Sequence, residues 1–328
     1  MLVGVVSARS TAIRRPIAAT AILTVLMAGS HAAVQADTAA GPAARPGPPT
    51  SAEVAAATRE FGPEAPARAA RRGAIAPLPL DGSRVVSLYG APQLTKTVIG
   101  RNSVSGATRK LERRASAFER RREPPVLPAF DIIASIATAD SGRDGLYRSR
   151  QSNAVLDAYQ RGARRLGGRL VLDIQPGRAR IADELRAFKD RIQTEGVDVA
   201  IDPEWNVGPR GVPGRTTGRV NAAEVNRAAR LLARWSASAG LGPKLLVVHQ
   251  FREGSIAGRG KIREPDGVDV VLNFDGIGSP AAKRAGYEAL SSPRLETGFS
   301  LFLKLDSGLM RPAQVTALDP APRYVMYQ

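Results

Sequence analysis

Eight short apolar, β-branched runs recur between residue 84 and the last residue, and amphipathic stretches fall between them. The runs are 84–89 (RVVSLY), 130–137 (FDIIASIA), 169–174 (RLVLDI), 197–202 (VDVAID), 244–251 (KLLVVHQF), 268–274 (VDVVLNF), 298–305 (GFSLFLKL) and 324–328 (YVMYQ). Runs of this length with few polar residues are what strands buried on both faces require. Helical periodicity is read over 108–122, 153–166, 178–193 and 221–239, with Asn221 placed to cap the last of these. Shorter helices are expected over 254–263, 280–290 and 311–318, where Pro280 and Pro312 suit a first turn. Strands alternating with helices over about 250 residues predict an α/β fold, a (β/α)8 TIM barrel forming a single domain. The last run ends the sequence without a closing helix, a departure from that pattern. The competitor is an open doubly wound sheet, but Tyr89-Gly90-Ala91-Pro92 after the first run is not the glycine-rich phosphate loop such a fold would carry.

The barrel is expected over residues 81–328. Ahead of it, residues 1–36 read as a secretory signal: Arg9, Arg14 and Arg15 precede a 12-residue apolar run at 17–28, and Val34-Gln35-Ala36 offers small residues for cleavage. That run is shorter than the roughly 20 residues of a spanning helix, so contact with a membrane is expected only through an uncleaved signal. Residues 37–80, dominated by Ala, Pro and Gly, read as a flexible tether. The chain has no cysteine, which excludes thiolate nucleophiles, disulfides and Cys-based zinc sites. With His31 in the signal, His249 is the one histidine of the barrel, so no two-histidine metal motif exists there. The net charge of +17 is carried mainly by arginine scattered along the chain, with no nucleic-acid module. It favours anionic envelope polymers as neighbours over a specific nucleic acid.

A barrel places its chemistry at the C-terminal ends of the strands. Those ends supply Ser87 and Tyr89; Asp173 and Gln175; Asp202, Glu204 and Trp205; His249 and Phe251; Asn273 and Asp275; Lys304 and Asp306; Tyr327 and Gln328. Along 196–205 (GVDVAIDPEW), Asp198, Asp202 and Glu204 fall on one face of a period-two strand. Carboxylates at the mouth of a buried strand are costly to hold ionised without partners. Aromatic residues (Tyr89, Tyr147, Trp205, Phe251, Phe274, Tyr327) cluster near the same ends, where rings either stack on sugar faces or close the barrel top. Two long loops, 138–152 and 206–220, would frame the cleft. Arg143, Arg148 and Arg150 in the first could grip an anionic ligand group or stand solvated.

Seven motifs (SLYGAP, GRDGLYRSRQS, LDIQPGRA, DPEW, LLVVHQF, NFDGIG and YVMYQ) together resemble a group of secreted actinobacterial (β/α)8-barrel proteins often labelled lipoproteins. The resemblance covers about residues 84–328 and implies fold and compartment, secreted or cell-wall associated, more than chemistry. The lipobox cysteine that the lipoprotein label requires is missing. Asp202-x-Glu204 also resembles the D-x-E strand end of chitinase-like glycosidase barrels. That resemblance implies Glu204 as general acid, with Asp202 tuning its pKa or positioning a substrate amide. Ala200 stands where the longer signature has another aspartate.

A glycosidase needs a second carboxylate, and Asp173, Asp275 and Asp306 are the candidates; Asp173 could equally cap the next helix. His249 is read as a general base, a hydroxyl ligand or a structural residue; without a G-x-S-x-G elbow a Ser-His-Asp triad is not expected. Lys304 could form a Schiff base, although pairing with Asp306 or Asp275 is simpler. Asp173, Asp202, Glu204 and Asp275 have the chemistry for Mg²⁺ or Ca²⁺, but nothing favours a metal over water, and no cofactor is expected. Tyr89, Gln175, Trp205, His249, Asn273, Lys304, Asp306, Tyr327 and Arg148 are the expected substrate contacts. Two functions follow: hydrolysis of an envelope or extracellular polysaccharide by a monomer, or noncatalytic binding of a cell-wall glycan or an anionic polymer in the same cleft.

Overall fold

The computed structural model describes residue 80, residues 82–119 and residues 124–328. The expected signal at 1–36 and almost all of the expected tether at 37–80 therefore lie outside the described residues. Eight parallel strands close on themselves: β1 (Arg84–Gly90), β2 (Val126–Ala137), β3 (Arg169–Ile174), β4 (Val197–Ile201), β5 (Lys244–Gln250), β6 (Val268–Phe274), β7 (Glu296–Leu301) and β8 (Tyr324–Tyr327). Each pairs with its sequence neighbours, and β1 pairs with both β8 and β2, which leaves the barrel without an open edge. The chain is a (β/α)8 barrel.

The helices outside it are α1 (Val104–Ser116), α2 (Asn153–Arg165), α3 (Ile181–Ala187), α4 (Lys189–Ile192), α5 (Ala222–Ser238), α6 (Pro280–Leu290) and α7 (Pro312–Thr316). Their starts follow local chemistry. Ser103, Ser152 and Ser279 each accept a backbone N–H of the first turn, and Asn221 and Glu224 form a reciprocal capping box on α5. The helix expected over 254–263 is absent. Its place holds the two-residue strand Ile256–Ala257, which pairs with Val220–Asn221, and one 3₁₀ turn at Arg259–Lys261. Gly254, Gly258 and Gly260 oppose a helix there, and Gly258 sits at φ +67°.

Side-chain alternation along the strands builds two apolar layers. The outer one joins strand residues such as Leu88, Ile132, Leu172, Val199, Val248 and Phe299 to the helices. The inner one fills the barrel with Val85, Ala129, Ile133, Val171, Ala200, Val247, Val271 and Met326. Charge sits below and above this plug. At the N-terminal end Arg169 donates to both oxygens of Asp198, Asp198 also accepts Leu245 N–H at 2.9 Å, and Lys244 donates to the Thr194 and Val197 carbonyls. Asp198 is thus on the same inward face as Asp202 but at the opposite end of the strand, in a stabilising pair remote from the mouth. Among the described residues no helix is long and apolar enough to cross a membrane.

Candidate active site

The upper layer of the barrel is made by inward residues one period above the apolar plug. Asp131, Asp173, His249 and Asn273 are buried among them, and Tyr89 and Asp202 nearly so. Glu204, Trp205, Asp275 and Gln328 are half-buried at the rim. Asp202 places Glu204 directly: its carboxylate accepts Glu204 N–H at 3.2 Å and caps the 3₁₀ turn Pro203–Trp205. Across β7, Gln328 donates from its amide to Asp275 Oδ1 at 2.6 Å.

His249 lies between two acids. Its Nε2 is 4.0 Å from Asp173 Oδ2 and its Nδ1 is 3.7 Å from Asp275 Oδ2. The Asn273 amide nitrogen reaches both His249 Nδ1 (3.1 Å) and Ser300 Oγ (2.8 Å). With that amide donating, the imidazole keeps its proton on Nε2, facing Asp173. Gly298 makes this arrangement fit, because a Cβ there would lie 2.5 Å from Asn273 Oδ1. Gln175 donates to the Tyr89 hydroxyl at 3.1 Å and accepts Ala137 N–H at 3.2 Å.

Burial dominates the electrostatics. It pushes Asp131 up to about 7, against the hydrogen bond from Tyr324 (2.6 Å), with the charges of Asp275 and Asp202 pushing the same way. Asp173 is driven well above the usual carboxylate range by burial and then by the charges of Asp131 and Asp275, against hydrogen bonding from Tyr89. Asp202 is driven up likewise by burial and then by the charges of Asp173, Glu204 and Asp275. Glu204 rises to about 7 through burial and then the charge of Asp275, with Arg252 opposing. Burial lowers His249 and keeps it neutral, with Asp275 opposing. A carboxyl that holds its proton near neutrality beside partners that take up charge is what general acid catalysis uses. Among the described residues no three His, Asp or Glu side chains converge as a metal-ion cage.

The structure thus brings Glu204, Asp202, Asp173, Asp275, Tyr89, Gln175, Trp205, His249 and Asn273 to one end of the barrel. Four other expected contacts lie elsewhere. Tyr327 points outward into the helix layer, where Arg114 of α1 stacks on its ring at 4.5 Å. Phe274 likewise packs outward against Tyr287 and Phe299. Strand β7 ends at Leu301, earlier than expected, because Asp306 accepts Phe302 N–H at 3.0 Å and turns the chain. Lys304 is consequently an exposed loop residue. Asp306 is locked to Lys283 at 2.6 Å rather than to Lys304. Arg148 is held by Glu184 and Asp144, and Arg150 by the same Glu184, so neither is a free anion grip. Those two arginines fasten loop 138–152 to α3. Gly177 (φ +62°) admits the loop closely, since a Cβ would stand 2.5 Å from the Leu146 and Tyr147 carbonyls.

Asp131, Tyr324 and Ser300 are mouth residues that reading strand ends does not find. Asp131 had a signal, a lone carboxylate inside an apolar run with the parity of Ala129. Tyr324 had one also: period two places Tyr324, Met326 and Gln328 inward and Tyr327 outward.

No protein-family model matches the chain, and no curated protein is similar to it. Among solved structures, a D-allulose 3-epimerase from Methylomonas sp. is similar at 10% sequence identity, over 75% of this chain and 84% of that one, with a TM-score of 0.33.

Proposed function

We propose that the barrel hydrolyses an envelope or extracellular glycan, with Glu204 as proton donor and Asp275 as its partner carboxylate. One observation carries the reading. Two acids from alternate strands stand at the same half-buried rim, and their mutual charge helps lift Glu204 to about 7 while Gln328 supports Asp275 by a hydrogen bond. Glu204 gives its proton to the glycosidic oxygen as the bond to the anomeric carbon breaks. Asp275 then either takes a proton from the attacking water or bonds the anomeric carbon itself, according to the separation of the pair around the substrate. Asp202 orients Glu204 through its backbone, and Trp205 offers a ring beside it for a sugar face. The export-like sequence of residues 1–36 and the charge of +17 support a substrate among anionic envelope polymers.

The test is incubation of the full chain and its Glu204→Gln variant with a panel of cell-wall glycans, reading new reducing ends and protein retained on insoluble material. Release by the wild type, reduced about 10² to 10⁴-fold in the variant, is expected. Retention by both proteins with no release would leave a glycan-binding barrel and overturn hydrolysis.

A further inference from the structure

Behind the rim, six buried side-chain atoms make no hydrogen bond of good geometry: Ser87 Oγ, Asp131 Oδ1, both oxygens of Asp173, His249 Nε2 and Asn273 Oδ1. Tyr89 and the Ile174 backbone act on Asp173, and Tyr324 on Ser87, only as longer, poorly aligned contacts. They belong to residues at most 2% exposed, on five different strands, and each lies one step above an inward apolar residue. Each such atom ordinarily costs about 1–3 kcal/mol if left unmet, so a cluster of them at one end of a barrel marks a place prepared for something. Their chemistry is lopsided. With the aspartates as carboxylates, four are obligate acceptors, Ser87 can accept, and His249 Nε2 alone must donate. The charges acting on Asp131, Asp173 and Asp202 are all carboxylates. The nearest cations are committed or remote: Lys283 is bound to Asp306 and the Ser300 carbonyl, and Arg252 is an exposed residue that acts on Glu204. An acid-rich, cation-poor interior inside a chain of net charge +17 is the reverse of its surroundings.

We propose that this acceptor cluster is a subsite for a sugar carrying a free primary ammonium group, so that the substrate class is a glycan containing unacetylated amino sugars. The proposal rests on the glycan reading above and names its sugar. An ammonium supplies three donors and the missing positive charge together. It meets Glu204, Asp202 and Asp275 at the rim and is drawn toward Asp173 and Asp131 behind them. A neutral hydroxyl brings a single donor and leaves the carboxylates uncompensated; an acetamide brings one donor and a bulky acyl group.

Binding of glucosamine, N-acetylglucosamine and glucose tetramers to the full-length Glu204→Gln protein, measured calorimetrically at neutral pH, tests this without requiring turnover. The amine-bearing tetramer is expected to bind at least about tenfold more tightly than either other, a difference of about 1.4 kcal/mol, although the net charge repels it at long range. Asp173→Asn should abolish the preference, bringing the affinity of the amine-bearing tetramer down to that of the neutral ones. Asn is isosteric and removes a buried unpaired carboxylate, so the variant should fold, which its melting temperature checks; Asp131→Asn provides the same comparison if it does not. Equal binding of the acetylated or neutral tetramer, or a preference that survives both substitutions, would overturn the subsite. If the amine is preferred but no glycan is ever cleaved, hydrolysis falls and the subsite stands. If acetylated glycans are cleaved with no amine preference, the subsite alone falls.

Discussion

Asp131→Asn should stabilise this protein, and by an amount that grows with pH. The Asp131 carboxyl is fully buried in the barrel, with Oδ2 accepting from Tyr324 and Oδ1 unpartnered. Burial lifts its folded-state pKa from 3.8 to about 7. A raised carboxyl binds more protons folded than unfolded between those two values, so its contribution is fully favourable below 3.8 and is lost as pH rises toward 7. Each pH unit in that window is worth about 1.4 kcal/mol. The wild type therefore carries a penalty on the order of 2 kcal/mol at pH 5 and 4 kcal/mol above pH 8. Asparagine keeps the shape and can still accept from Tyr324 but has no charge to bury. Urea unfolding of both proteins at pH 5 and pH 8 should show the variant's advantage increasing by about 3 kcal/mol between the two. A variant that is less stable by the same amount at both values would refute the assignment of Asp131 as an ionisable, uncompensated interior acid.

The wild type itself should become more stable as pH falls from 8 to 5, because Asp131, Asp173, Asp202 and Glu204 all have raised folded-state values; His249, lowered by burial, opposes this below about pH 6.5. A melting temperature that rises steadily over the same interval toward pH 8 would contradict that balance. Arg169→Met should cost about 3 to 5 kcal/mol by leaving Asp198 charged and unpaired at the barrel floor, while the mouth chemistry of the folded fraction stays unchanged in a specific-activity measurement. Glu184→Ala should release Arg148, Arg150 and Ser135 together, costing about 3 kcal/mol and raising proteolytic cleavage within loop 138–152. Gln328→Ala should lower glycan turnover about tenfold, since Asp275 loses a charge-assisted hydrogen bond, with little change in the melting temperature.

The barrel was legible because each strand is a run that only a two-faced burial explains, and β3 and β6 match their runs residue for residue. Failures occurred where tertiary contacts decide. Residues 254–263 pair through Ile256–Ala257 with the distant Val220–Asn221 instead of forming a helix, and the strand at 298–305 is cut short by an Asp306 carboxylate turning back onto Phe302. The mouth was legible where polar residues end a strand, as at Asp202, Glu204 and Asp275. It was not legible where alternation outranks position. Tyr327 stands nearer the strand end than Tyr324 yet faces the helices, and Asp131 lies in mid-strand yet faces the interior. Arginine partners could not be read at all, because Glu184 meets Arg148 and Arg150 of loop 138–152 from helix α3, 36 and 34 residues further along the chain.

The most direct test of Glu204 as proton donor is a comparison of leaving groups. Glu204→Gln should lose about 10² to 10⁴-fold on a natural glycan, whose leaving oxygen needs a proton. On a dinitrophenyl glycoside of the same sugar, whose leaving group departs unprotonated, it should retain most of the wild-type rate, whereas Asp275→Asn should lose activity on both. Equal losses on the two substrates for Glu204→Gln, or no loss on either, would contradict the account.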